Sequence, residues 1–389
     1  MKSLILIKCF VFFLFSFLSC VSGSARIITG AERTEDYMDI LYGKRVAVTG
    51  NHTSLVNSAH LVDTLLSRGI DVVKIFSPEH GFRGIAGAGE KVVDTIDQKT
   101  GIPVISLYGS RRKPDDVDMD GFEIMVFDLQ DVGVRFYTYI STLHYIMEAC
   151  ALKGIPLLLL DRPNPNGNYV DGPVLEMEFQ SFVGMHPVPL VHGMTLAEYA
   201  RMINGEGWLK EGVECALHII PCMNYSHDME YVLPVPPSPN LRSQHAIRLY
   251  PSIALFEGTV ISEGRGTDHP FEIFGHPELA SGDFYFTPES RSGAMHPKYT
   301  GQLCRGTDLR NWEPPVGQWE NIELKWLIEA YCQYPYKDKF FNNYFYRLTG
   351  TRQVADDITA GESELEIRDK WKNDLTEFIS VREKYLLYP

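Results

Sequence analysis

Three short segments hold most of the residues whose types and spacing could do chemistry. Ser77-Pro78-Glu79-His80-Gly81-Phe82-Arg83-Gly84 follows an apolar run at 71–76. Gln130-Asp131-Val132-Gly133-Val134-Arg135 follows a second run at 124–129. Asp161-Arg162-Pro163-Asn164-Pro165-Asn166-Gly167 follows a third at 156–160. Ordinary turn chemistry covers Asn164, Asn166 and Gly167, since Asn, Pro and Gly suit tight turns. It covers Glu79, Arg135 and Arg162 poorly. Carboxyl and guanidinium groups gathered on one rim suit proton transfer and the binding of anions. Two later polar runs add to the set. Ser238-Pro239-Asn240-Leu241-Arg242 carries Asn240 and Arg242, and Ser262-Glu263-Gly264-Arg265-Gly266-Thr267-Asp268 carries Glu263 and Arg265. A surface turn with an internal Glu–Arg or Asp–Arg pair explains the last run equally well.

Other patterns are decoys. The glycine-rich stretch 84–90 is not GxGxxG and no Lys-Ser/Thr follows, so it is no nucleotide cradle. It reads either as a mobile loop delivering Glu90 or as a surface loop. Asp116, Asp118, Asp120 and Gly121 imitate the start of a calcium loop, but its twelfth position is Phe127, where a bidentate Glu is required. The 12 histidines include His186, His192, His269 and His276, and none forms HExxH or a close ligand pair. The sequence therefore calls for no metal and no cofactor.

The loops must be positioned by elements, and these are legible. Short runs rich in Val, Ile and Leu occur at 45–49, 71–76, 103–108, 124–129, 156–160, 188–191 and 217–221. Several lack alternation, which marks strands buried on both faces of a parallel sheet. Helical patterns separate them. Residues 55–68 place Leu55, Ala59, Val62, Leu65 and Leu66 on one face, and Gly69 stops the pattern. Residues 139–153 end at Gly154, and 195–204 open with the capping-box spacing Thr195–Glu198. This is a doubly wound α/β layout, in which ligands bind beyond the carboxyl ends of the strands. Four prolines in residues 233–240 cannot sit in a helix or a central strand, so the boundary is placed there. The expected parts are 1–24, 25–236 and 237–389. Helical patterns return at 320–331 and 362–385.

Length and composition agree. The 389 residues suit two or three domains, and 44% hydrophobic with 22% charged is globular. The formal charge is −14 with no basic run, which argues against a nucleic-acid partner. An anionic ligand would need a local positive pocket. Residues 1–24 read as an export signal: Lys2 and Lys8, an apolar stretch at 9–18, then small or polar residues. Phe17-Leu18-Ser19-Cys20 resembles a lipoprotein box: with Cys20 as the mature N-terminus the protein is tethered to a membrane surface, and with cleavage near Ser24 it is free. Loss of Lys2 and Lys8 takes the charge from −14 to −16. Cys150, Cys215, Cys222, Cys304 and Cys332 remain. No CxxC pair occurs, no spacing fits zinc, and the odd number leaves at least one thiol unpaired. Asn51-His52-Thr53 and Asn224-Tyr225-Ser226 are glycosylation sequons with meaning only in a eukaryotic secretory pathway.

The runs SPEHGFRG…AGE, VFDLQDVGVRFYTY, DRPNPNG…DGPVLE, VPPSPNLR and EGRGTDHPFE, taken in order, resemble the exo-β-N-acetylmuramidase family of peptidoglycan recycling. The resemblance extends from about residue 43 to the C-terminus. It implies a Rossmann-like, mainly parallel first part, a smaller α+β second part, and a cleft between them. It implies release of N-acetylmuramic acid from the non-reducing end of peptidoglycan fragments, with no nucleotide, in the periplasm or at the outer membrane of a bacterium. Glycoside hydrolysis needs a carboxylic acid for the leaving oxygen and a second carboxylate as base or nucleophile. Glu79 is the expected acid and Glu90 the expected second carboxylate, with Asp131 and Glu263 behind it. The sugar carries a lactyl carboxylate, which arginine binds with a planar fork. Arg135, Arg162, Arg242 and Arg265 are the candidates. His80, Arg83, Asp131, Asp161, Asn164, Asn240 and Glu263 complete the expected substrate-binding set. Two other classes stay open at this point, a non-catalytic exported glycan-binding lipoprotein and a nucleotide-using Rossmann enzyme.

Overall fold

A computed structural model describes residues 25–79, 81–83, 94–315 and 319–389. In the first part the strands are β1 (Arg45–Gly50), β2 (Leu55–Val56), β3 (Ala59–His60), β4 (Asp71–Ser77), β5 (Thr95–Ile96), β6 (Pro103–Ser106), β7 (Ile124–Asp128), β8 (Leu157–Leu160) and β9 (Leu217–Ile220). The helices between them are α1 (Met38–Leu41), α2 (Leu61–Ser67), α3 (Tyr139–Lys153) and α4 (Leu196–Gly205). Seven strands form one sheet in the order β5-β6-β4-β1-β7-β8-β9. All pairs are parallel except β5 with β6. The six parallel strands thus follow the doubly wound order in which the chain reverses direction between β1 and β7, the crevice where such sheets take ligands.

The expected strands and their edges differ instructively. Residues 188–191 are not a strand. Pro187 and Pro189 remove the N–H groups that a ladder needs, and the segment makes only isolated bridges through Val191. The expected helix 55–68 begins only at Leu61, because 55–60 folds into the β2–β3 hairpin with Asn57 at φ 54° in its turn. The Thr195–Glu198 capping box forms as expected.

The second part holds α5 (Gln244–Ile253), β10 (Ile273–His276), β11 (Phe284–Phe286), β12 (Cys304–Asp308), α6 (Lys325–Gln333), α7 (Asn343–Thr349), α8 (Gln353–Ala360), α9 (Glu364–Asp369) and α10 (Lys372–Arg382). Its strands form an antiparallel sheet, β10-β12-β11. The expected helix over 362–385 is two helices, α9 and α10, parted around Lys370 and Trp371. One apolar core runs from one face of the large sheet and α3 into α5, α6 and α7, and a separate one fills the other face beside α1 and α2. The two parts therefore share their packing.

Candidate active site

The chain leaves β4 at Ser77, and Pro78-Glu79 follows at the carboxyl edge of the sheet. Glu79 faces a small cavity of about 60 Å³. Its other walls come from the segment before α3 (Phe136 to Tyr139), from Ser238 and Leu241, from Tyr250 on α5, and from Arg265 and Phe271. Sequence order explains this meeting. Residues 136–139 follow β7, across the crevice from β1, and the proline-rich strap carries Ser238 over the edge.

The cavity has an aromatic wall. Tyr137 stands edge-on to Tyr139 (4.9 Å) and to Tyr250 (6.0 Å), and Tyr250 to Phe271 (4.9 Å). Such edge-to-face contacts lock ring orientation. Tyr137 donates its hydroxyl hydrogen to the carbonyl of Pro237 at 3.0 Å, pinning the strap. Asn51, directly after β1, donates from Nδ2 to the Tyr139 oxygen at 2.6 Å. Its Oδ1 accepts from the Thr53 N–H and hydroxyl at 2.9 and 2.6 Å. Burial, and then the nearby Glu79 carboxylate, hold the Tyr139 phenol above its ordinary pKa. A phenol held neutral in this way keeps its proton for donation.

On the opposite wall Arg265 lies over Phe271 at 5.0 Å. Its Nη2 donates to Glu257 at 3.0 Å, and its Nε lies 3.4 Å from Glu263. Lys298 Nζ lies 3.2 Å from Glu263. Burial raises the Glu257 pKa, the neighbouring Glu263 adds to the rise, and Arg265 opposes it. Burial also penalises Glu263, but Lys298 and then Arg265 outweigh that and hold it low. Tyr344 of α7 joins the cluster: burial first, then the Glu257 charge, raise its phenol. Sequence reading missed Glu257, Lys298 and Tyr344. The only signal for Glu257 was a charged residue followed by Gly258 at the end of an apolar run, and nothing marked Tyr344.

Glu79 and Arg265 line one cavity, while Arg83, Arg135, Asp161, Arg162, Asn164 and Asn240 do not line it and are held by partners of their own. Arg83 pairs with Asp97 (2.7 Å) and Asp63 (3.2 Å). Arg135 is fully buried, with Nη1 donating to the carbonyls of Pro173 and Val188 and Nη2 to those of Leu348 and Thr349. The expectation that it binds a substrate carboxylate is corrected by this geometry. Burial pulls its pKa down to about 9, so it stays a cation at neutral pH. Asp161 accepts from the Tyr388 hydroxyl at 2.5 Å and the Ala197 N–H at 3.1 Å, tying the C-terminus to α4. Arg162 makes a two-point pair with Asp128, at 2.5 and 2.9 Å, away from Glu79. Asn164 donates to Met194 and accepts from the Asn166 N–H, as turn chemistry predicts. Asn240 donates to the Gly293 carbonyl at 2.8 Å.

Asp131 sits behind the tyrosine wall. Its Oδ2 accepts from the Gly133 N–H at 2.6 Å, and burial raises its pKa to about 7. Gly133 is required there, since its φ is 76° and a Cβ would fall 2.1 Å from Asn164. Arg242 is exposed. Its Nε donates to the Pro239 carbonyl at 2.8 Å, and its two terminal nitrogens have no partner among the described residues. His80 and Glu90 lie outside the described residues. Among the described residues no group of His, Cys, Asp and Glu could hold a metal ion.

Comparison with known proteins covers nearly the whole chain. Residues 46–245 match the family model of the N-terminal part of the exo-β-N-acetylmuramidase NamZ, and residues 248–388 match that of its C-terminal part. The peptidoglycan β-N-acetylmuramidase NamZ of Bacillus subtilis (strain 168) is 38% identical over 375 residues, covering 91% of this chain and 89% of the relative. A solved DUF1343 family protein of Bacteroides fragilis NCTC 9343 is 48% identical, with a TM-score of 0.88 over 94% of this chain and 99% of its own. A second from the same organism is 28% identical, with a TM-score of 0.81 over the same shares.

Proposed function

The chain belongs to the exo-β-N-acetylmuramidase family NamZ, and from that membership we infer that it is an exo-acting glycoside hydrolase releasing N-acetylmuramic acid from the non-reducing end of peptidoglycan fragments. The observation that carries this reading is the similarity to a named muramidase across both parts of the chain. It favours catalysis over the glycan-binding alternative. The geometry supplies chemical roles. Glu79 is the one carboxyl lining the cavity among the described residues, and it protonates the leaving glycosidic oxygen. Glu90 remains the second carboxylate expected from the sequence. Tyr139, fixed by Asn51, donates a hydrogen bond to the bound sugar. Arg265 is held by Glu257 and Glu263 at the same wall. Arg242 keeps two guanidinium nitrogens for the lactyl carboxylate, beside Leu241 of the cavity.

Residues 1–24 direct export, and Cys20 tethers the mature protein to a membrane surface facing the periplasm. Lys2, Lys8, the apolar stretch at 9–18 and the residues before Cys20 support this.

The test is hydrolysis of a chromogenic β-N-acetylmuramide beside the matching β-N-acetylglucosaminide. The wild type should release chromophore from the muramide only. Glu79→Gln should lower turnover at least ~100-fold, the usual scale for a general acid. Turnover near wild type would remove Glu79 from the role, and no release by the wild type would remove the activity itself.

A further inference from the structure

A second, larger cavity opens on the same edge of the sheet. Its volume is about 570 Å³, within the range of small-molecule sites. Its floor includes Arg162, directly after β8, and its walls include Ile27, Leu55, Met229, Glu230 and Tyr231. Arg162 is 4% exposed. Nε and Nη2 are held by Asp128 and by the Leu55 carbonyl (2.9 Å), which fixes the plane of the guanidinium. Nη1 has no partner among the described residues. The Tyr231 hydroxyl, whose phenol is raised by burial and feels Arg162 next, also has none. Neither has the Glu230 carboxylate, exposed at the rim. A rigid buried donor, a second donor, an acceptor and an apolar wall thus surround one space.

The chemistry selects the ligand. Asp128 already neutralises the Arg162 charge, so a free anion gains little here. Arg26 and Glu32 at the cavity pair with each other at 3.0 Å, and a neutral ring with hydroxyls, an acetamide carbonyl and an apolar face matches the groups left. The position matters too. Glu79 follows β4 and Arg162 follows β8, three strands away in the order β4-β1-β7-β8, or about 14 Å at the usual spacing. The proline-rich strap runs between the two spaces. Met229 to Pro234 line the distal cavity and Ser238 the first, while His52 and Tyr137 hold Pro236 and Pro237 between them.

We propose that this cavity is a distal subsite for an N-acetylhexosamine ring of the same glycan, on the leaving-group side of the bond that is cut. This rests on the muramidase reading and adds that longer fragments are preferred. The test compares kcat/KM for the disaccharide N-acetylmuramyl-N-acetylglucosamine and for the alternating tetrasaccharide. The wild type should favour the tetrasaccharide about tenfold, the effect of roughly two ordinary hydrogen bonds. A double variant, Tyr231→Phe with Glu230→Ala, should lose that preference and cut the disaccharide as before. Val232→Trp, which fills the cavity from an exposed rim position, should do the same. Equal wild-type rates on both substrates, or a preference that survives all these changes, would overturn the subsite. If the wild type cut neither substrate, the activity reading would fall instead. Calorimetric binding of the tetrasaccharide would then decide the subsite, being weakened by the double variant if it exists and unchanged if it does not.

Discussion

Replacing Arg135 by Met separates two roles for the same guanidinium. The side chain makes four hydrogen bonds, all to backbone carbonyls, at 2.9, 2.6, 2.9 and 2.7 Å. Two of those carbonyls, Leu348 and Thr349, end α7, where the helix dipole favours a cation and the carbonyls have no partner within the helix. Gly350 follows in the left-handed region at φ 74°, and a Cβ there would meet Arg135 Nη2 at 2.6 Å. The other two carbonyls, Pro173 and Val188, belong to the first part. Arg135 thus joins the end of α7 to the segments packed beside α3. Met keeps the apolar stem but removes all four bonds, leaving the Pro173, Leu348 and Thr349 carbonyls without that donor while Val188 keeps the Leu175 N–H. Each hydrogen bond to a charged group contributes about 1.5–3 kcal/mol net, though losses at one residue do not add fully. A loss of ~5 kcal/mol is expected, a large share of a typical folding stability of about 5–15 kcal/mol. The thermal midpoint should fall by roughly 6 °C. Thermal unfolding followed by circular dichroism reads this directly, and KM for the muramide, measured below the transition, should stay within about twofold of wild type. A variant with unchanged melting and a tenfold higher KM would refute the structural role and return Arg135 to the substrate carboxylate.

Two further outcomes are expected. Arg242→Ala should lower kcat/KM for muramyl substrates about tenfold, the value of one charged hydrogen-bond pair, with no comparable loss on a substrate lacking the lactyl group; equal losses on both would exclude it from carboxylate recognition. Asp131→Asn should flatten the pH dependence of stability. Asp131 has a folded pKa of about 7 against an ordinary carboxylate value near 4. A raised acid makes the fold most stable below the unfolded pKa, and that stability is lost as pH rises through the folded pKa. The amide carries no such cost, so the variant should gain on the wild type between pH 5 and 8, by at most ~4 kcal/mol. Parallel denaturation profiles for the two proteins would show that Asp131 titrates normally.

The parallel strands were legible because each is a short apolar run bounded by turn residues, and the main sheet follows from them. The misplaced elements share a cause. Residues 188–191 have strand-like side chains but lack donors at Pro187 and Pro189, and 55–60 have a helical pattern overridden by a turn at Asn57. Local preference yields to hydrogen-bond geometry in both cases. At the rim, sequence found the right edge of the sheet but could not tell a guanidinium facing the cleft from one facing the core. Arg135 and Arg265 both follow apolar strands or loops, and only tertiary packing surrounds one with carbonyls and places the other on the wall of the cavity that Glu79 lines. Glu257 was invisible for the same reason: its partner Arg265 lies on the next loop, and burial of the pair exists only after folding.

Charge bookkeeping across the cleft then limits how an anionic sugar is recognised. The protein without residues 1–24 carries a formal −16, so attraction at long range is absent. At the cavity, Arg265 and Lys298 face Glu257 and Glu263, and Glu79 stands opposite. With Glu79 and Glu257 ionised these groups sum to −1, and with both protonated to +1, so the local field is weak in either state. Arg83 and Arg162 are paired with carboxylates, and Arg135 is buried among four carbonyls and does not line the cavity. A lactyl carboxylate therefore cannot be drawn in by a strong positive field. It is better bound through directed hydrogen bonds from a guanidinium that has donors left, and of the candidate arginines only Arg242 is exposed with both terminal nitrogens unpartnered among the described residues. Recognition built on one directional contact should discriminate sharply between sugars with and without the lactyl group while depending little on ionic strength, since a short contact is screened far less than a field.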